Sequence, residues 1–182
     1  MKKLLSRLCF LSLLVLVISP DPPVLAEARE PLSKLELPSI KLILPEGKTS
    51  VQKVILLDNG LQLVVTLRES ITPTDNPLRT TIRRTLTSES TIRSADGTEL
   101  GSITAVGVFD TNGSTSDPED AYGYGEVKRY SIENPSNTLS NEQFYAWVRV
   151  TFKGVPVGPV QPFIYNCTIN CDANGNYSAS WV

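Results

Sequence analysis

Residues 143–153 read Gln-Phe-Tyr-Ala-Trp-Val-Arg-Val-Thr-Phe-Lys, and their alternation decides the fold class. Phe144, Ala146, Val148, Val150 and Phe152 take every second place, which sets their apolar side chains on one face of an extended strand. Tyr145, Trp147, Arg149, Thr151 and Lys153 fall on the opposite face. A helical period would scatter the two sets around an axis, so the spacing predicts a half-buried β-strand.

The same signals recur outward from this stretch. Asp58-Asn59-Gly60 separates apolar arms at 51–57 and 61–68, and Asn-Gly accepts the positive φ of a tight hairpin turn. Residues 79–92 are Thr-rich and strand-like around Ile82, Leu86 and Ile92, and Ala95-Asp96-Gly97 turns the chain into a second run at 99–109. A polar loop is expected over 110–120, and Tyr122-Gly123-Tyr124-Gly125 opens a strand reaching Tyr130. A further loop is expected over 131–142, centred on Asn134-Pro135. After a Pro/Gly connection at 154–162, short strands at 163–167 and 177–182 complete the chain. Abundant Thr, Val and Ile favour strand over helix. Short strands with turn chemistry between them predict an all-β domain, an immunoglobulin-like sandwich or a partly closed antiparallel barrel.

The N-terminus sets the expected compartment. Lys2, Lys3 and Arg7 precede an uncharged apolar run at 8–18, then Pro20, Pro22, Pro23 and Val24-Leu25-Ala26, the order of a secretory signal peptide cut after Ala26. The expected organisation is a signal peptide at 1–26, a Pro/charge-rich segment at 27–50 and a β-domain at 51–182. The apolar run is shorter than the ~20 residues a membrane-spanning helix needs, so no stable span is expected after cleavage. The expected location is secreted, periplasmic or cell-surface associated. The whole chain carries 17 basic and 19 acidic residues; without Lys2, Lys3, Arg7 and Asp21 the tally is 14 and 18, a formal charge of −4. That balance gives no electrostatic attraction for nucleic acid.

Two absences narrow the chemistry. The chain has no histidine, which removes an imidazole base, a His-activated nucleophile and imidazole metal ligands. The only methionine is Met1. Cys167 and Cys171 are an even pair in an exported domain, and a disulfide between them is the expectation. It requires residues 168–170 to turn back with Ile169 at the tip. The alternative is one straight strand running into a turn at Asn174-Gly175, which would leave both sulfurs on one face and too far apart to join.

The strongest candidate surface is the outward row Tyr145, Trp147 and Arg149, with Tyr122, Tyr124 and Trp181 as further rings. Aromatic area with polar tips suits a sugar ring or a protein partner; its plain structural alternative is a face covered by a second layer. Asp110, Asn112, Asp117 and Asp120 offer hard oxygens to calcium but miss the EF-hand pattern, and Asp172 to Asn176 is similarly imperfect, so both are read as solvated turns. No cofactor is expected. The leading functional expectation is a secreted, non-catalytic module binding a protein or glycan. The alternatives are a small hydrolase working through carboxylates such as Glu126, Glu133 and Glu142, and an inhibitor or toxin presenting the cystine loop.

Overall fold

A computed structural model describes residues 35–58, 60–72, 81–142 and 144–182. The expected signal peptide lies outside the described residues. Among the described residues eleven strands are formed: β1 (Ile40–Leu44), β2 (Ser50–Leu56), β3 (Gln62–Thr72), β4 (Ile82–Arg93), β5 (Glu99–Thr111), β6 (Ser116–Val127), β7 (Tyr130–Ile132), β8 (Ser136–Glu142), β9 (Tyr145–Pro156), β10 (Phe163–Asp172) and β11 (Tyr177–Trp181). All pairings are antiparallel, in the order β1-β11-β10-β9-β7-β6-β5-β4-β3-β2, with β8 also paired to β9. The path ends, β1 and β2, approach each other without a ladder between them. The domain is all-β and takes the second expected form, an antiparallel sheet nearly closed into a barrel. Its neighbour-to-neighbour order is a meander rather than the Greek key of an immunoglobulin domain.

Alternation fills the interior. Ala146, Val148, Val150 and Phe152 of β9 and Tyr165, Cys167, Ile169 and Cys171 of β10 are buried. At the centre Trp181, fully buried, lies 5.8 Å from Phe152 and 5.0 Å from Tyr165, ring centre to ring centre. Its indole N–H donates to Ser88 Oγ at 2.9 Å, and Ser88 Oγ donates to the Thr66 carbonyl at 3.2 Å. This hydrogen-bond chain satisfies the polar handle of a buried indole. Tyr165 Oη donates to the Pro38 carbonyl at 2.9 Å, fastening residues before β1 onto the core. β5 and β6 approach β9 closely because Gly107 and Gly123 carry no side chain. A Cβ at Gly123 would stand 2.6 Å from Val150 Cγ1 and 2.8 Å from Phe152 Cζ.

Several expectations are corrected. β10 runs unbroken through both cysteines, which face inward as free buried thiols. Four residues of extended chain separate their Cα atoms by roughly 13 Å, beyond the ~4.4–6.8 Å of a disulfide. The chain turns instead at 172–176, where Asp172 Oδ1 accepts the amides of Asn174 (2.9 Å) and Asn176 (2.8 Å), and Gly175 takes φ 85°. Ile169, expected at an exposed tip, is fully buried, so the antagonist reading loses its loop. Trp181 is core and not part of a surface. Phe144 precedes β9 and is 66% exposed, because the strand begins one residue later. The polar loop expected at 110–120 shrinks to 112–115, and the second expected loop, 131–142, shrinks to 133–135 between β7 and β8; polar side chains on outward faces had masked strand character there.

Candidate functional site

β8, β9, β10, β11 and β1 present one continuous outer face, and register decides which side chains share it. Tyr145 pairs with Glu142 and Asp172, Trp147 with Ser140 and Asn170, Arg149 with Thr138 and Thr168. Asn170 in turn pairs with Ser178, which faces Ile43 of β1. Paired residues project from the same side of a sheet, so an aromatic row is flanked by rows of amide and hydroxyl groups.

Local bonds hold these groups in place. The Arg149 guanidinium lies 5.4 Å from the centre of the Trp147 ring and its Nε donates to Thr168 Oγ1 at 3.1 Å, so charge and ring form one unit worth ~0.5–1 kcal/mol at such an exposed place. Tyr145 Oη donates to Glu142 Oε2; that bond to a carboxylate raises the phenol above its ordinary pKa. Thr151 Oγ1 donates to Asn166 Oδ1 at 2.7 Å, and Asn170 Nδ2 to Ser178 Oγ at 3.3 Å. Beside the row a groove of about 270 Å³ is lined by Tyr145, Asn170, Asp172, Ser178, Lys41 and Ile43, among others. Ile43 is 62% exposed. The groove thus offers an aromatic wall, an aliphatic wall and a floor of donors and acceptors.

The five expected binding residues divide into two groups. Tyr145, Trp147 and Arg149 come together as described. Tyr122 and Tyr124 are exposed on β6, where they pair with Val106 and Thr104 of β5. β7 spans only Tyr130–Ile132; beyond it β8 lies beside β6, with Asn137 Nδ2 donating to the Ala121 carbonyl and Asn141 Nδ2 to Asp117 Oδ1. The two tyrosines thus stand on a strand next to β8 and outside the Tyr145–Trp147–Arg149 row.

The candidate calcium oxygens are occupied by protein donors. Asp110 accepts both Nε (2.8 Å) and Nη2 (2.9 Å) of Arg83, and Asn112 Oδ1 accepts the amides of Ser114 and Thr115. Asp117 accepts from Asn141 Nδ2, and Asp120 accepts the Ala121 amide. Among the described residues no group of three acidic or cysteine side chains converges on one point. Of the carboxylates considered for hydrolysis, Glu126 pairs with Ser102, the Glu133 amide donates to the Lys153 carbonyl, and Glu142 holds Tyr145. Glu126 lies on β6, Glu142 at the end of β8 and Glu133 in the link between β7 and β8.

Sequence reading missed Asn170, Asp172 and Ser178 as members of this face. The signal was the alternation of Tyr165, Cys167, Ile169 and Cys171 with Asn166, Thr168, Asn170 and Asp172, which the expected disulfide overrode. Comparison with protein-family models, curated proteins and solved structures finds no match to this chain. Fold and site therefore define a class by geometry alone: a meander barrel with a polar-aromatic outer face.

Proposed function

We propose that this chain is an exported, non-catalytic binding module whose outer face on β9, β10, β11 and β1 takes a glycan. The observation that carries this reading is the groove in which Tyr145 and Ile43 flank Asn170, Asp172, Ser178 and Lys41. A sugar ring has apolar C–H faces and an equator of hydroxyls, each both donor and acceptor. Aromatic and aliphatic walls match the faces, and amide, carboxylate and hydroxyl groups match the equator. A protein interface core of comparable size is depleted in charged groups, whereas the lining of this groove includes both Asp172 and Lys41. The missing histidines and the N-terminal leader pattern agree with a non-enzymatic role outside the cytoplasm.

Binding to an immobilised glycan panel tests it. Wild-type protein is expected to retain a defined subset of glycans, and Trp147→Ala and Tyr145→Ala to lose that subset while keeping the β-sheet circular dichroism spectrum. No glycan retained, with a protein captured through the same two residues, would replace the glycan by a protein partner. Unfolding of both variants would show the rings to be structural.

A further inference from the structure

At one end of the barrel a second opening of about 520 Å³ lies between the β1–β2 turn and the β10–β11 turn, within the ~300–1,000 Å³ of small-ligand sites. Its inner wall is ionic. Arg84 Nη1 donates to Glu69 Oε1 at 2.5 Å and Arg84 Nε to Thr111 Oγ1 at 3.0 Å, with the two charged side chains only 16% and 9% exposed. The guanidinium also lies 5.6 Å from the centre of the Tyr177 ring. Withdrawing such a pair from water carries a desolvation cost that apolar packing at this end of the barrel would avoid.

Tyr177 adds a second oddity. The residue is 5% exposed, and its hydroxyl lies near the Glu69 carboxylate without meeting any described acceptor in good hydrogen-bond geometry, an incomplete pairing unusual for a buried phenol. Gly175 leaves the approach to it open: a Cβ there would stand 2.8 Å from the Tyr177 oxygen and 3.5 Å from Arg84 Nη2. Glu46 and Lys48 complete the charged lining, so two cations face two carboxylates. An anion would meet Glu69 and Glu46, and a cation would meet Arg84 and Lys48. Neighbouring hydroxyls of a neutral sugar suit both signs, donating to a carboxylate while accepting from guanidinium and phenol.

Asn176 and Tyr177 line this cleft and also the outer-face groove, so the two openings adjoin around the β10–β11 turn. We propose that the cleft seats the neutral terminal sugar of a glycan whose next units lie along the groove. The proposal rests on the glycan reading above.

Amide-resolved NMR titration of the full chain separates the two ideas, with glucose, galactose, mannose and N-acetylglucosamine as probes, then cellotriose, maltotriose and chitotriose. At least one monosaccharide is expected to shift the amides of Lys48, Gly175 and Asn176 while leaving Arg149 and Thr168 unmoved, and its trisaccharide to move both sets. Tyr177→Phe is expected to weaken the monosaccharide about tenfold with little change in melting temperature, since the deleted hydroxyl makes no well-formed bond to a described residue. A purely structural tyrosine would leave affinity unchanged, and that result overturns the proposal. Silence of the cleft amides to every monosaccharide also overturns it. Trisaccharide shifts confined to Arg149, Thr168 and Asn170 would remove the cleft and keep the groove; shifts confined to the cleft would do the reverse.

Discussion

Treating the native chain at pH 8 with an aromatic disulfide reagent asks whether Cys167 and Cys171 are free, buried and apart. Burial pushes the Cys171 thiol up to about 11 and the Cys167 thiol further still. At pH 8 roughly one Cys171 in a thousand is then ionised, against roughly one in four for an ordinary thiol near 8.5. Ionisation alone slows the reaction a few-hundred-fold, and the complete burial of both residues confines it to molecules that have opened. We expect no fast thiol in the native protein and two per chain in concentrated guanidinium chloride without reductant, counted on chains lacking residues 1–26. Linkage gives the matching pH effect. A thiol whose folded value is raised stabilises below its unfolded value and loses that contribution as pH climbs from about 8.5 toward 11, on the order of 3 kcal/mol for Cys171. No titratable thiol in denaturant, with two appearing after reduction, would refute the reasoning: a bridge requires β10 to fold back between 167 and 171.

Other perturbations probe the packing and the turns. Gly123→Ala drives a methyl into Val150 and Phe152 and is expected to cost ~1–3 kcal/mol, read from the denaturant midpoint. Trp181→Ala empties the centre of the core and removes the donor to Ser88; a loss of ~3–5 kcal/mol is expected in the same assay. Hydrogen bonds from the Ser94 hydroxyl and the Thr98 amide hold Asp96 at about 2. Its contribution to the 94–98 turn is therefore present above pH 4 and lost as pH falls toward 2, a titration that carboxyl-carbon NMR follows directly. Calcium added after chelation is expected to leave the melting temperature unchanged, because the Asp110, Asn112, Asp117 and Asp120 side chains already accept protein donors.

The fold class was legible because β9 alternates cleanly and its outward residues are polar enough to mark the second face. Turn chemistry located the β2–β3 hairpin and the turn before β5 for a local reason, the positive φ that Gly60 and Gly97 adopt. What sequence could not supply was register. Asn170 and Ser178 meet only because β10 and β11 pair across a turn organised by Asp172, a carboxylate that composition alone presents as a calcium ligand. The cysteines misled for a related reason: their even count suggested a bridge, while their spacing places both on the inward face of one strand. Glu69, Arg84 and Tyr177 are scattered along the chain and converge only when β3, β4 and β11 close one end of the barrel. Tyr122 and Tyr124 lie on β6, which reaches the aromatic face only through β8, by the Asn137 and Asn141 side chains, a neighbour relation that no local pattern announces.

Tryptophan fluorescence offers the most direct measurement, because Trp147 lies half-buried on the proposed face while Trp181 is sealed in the core. Titrating the chain with cellotriose, maltotriose and chitotriose is expected to give, for at least one of them, a saturable change in emission that disappears in Trp147→Phe. Emission that stays flat for a glycan the protein demonstrably retains, or a change that survives in Trp147→Phe, would contradict the assignment of this face.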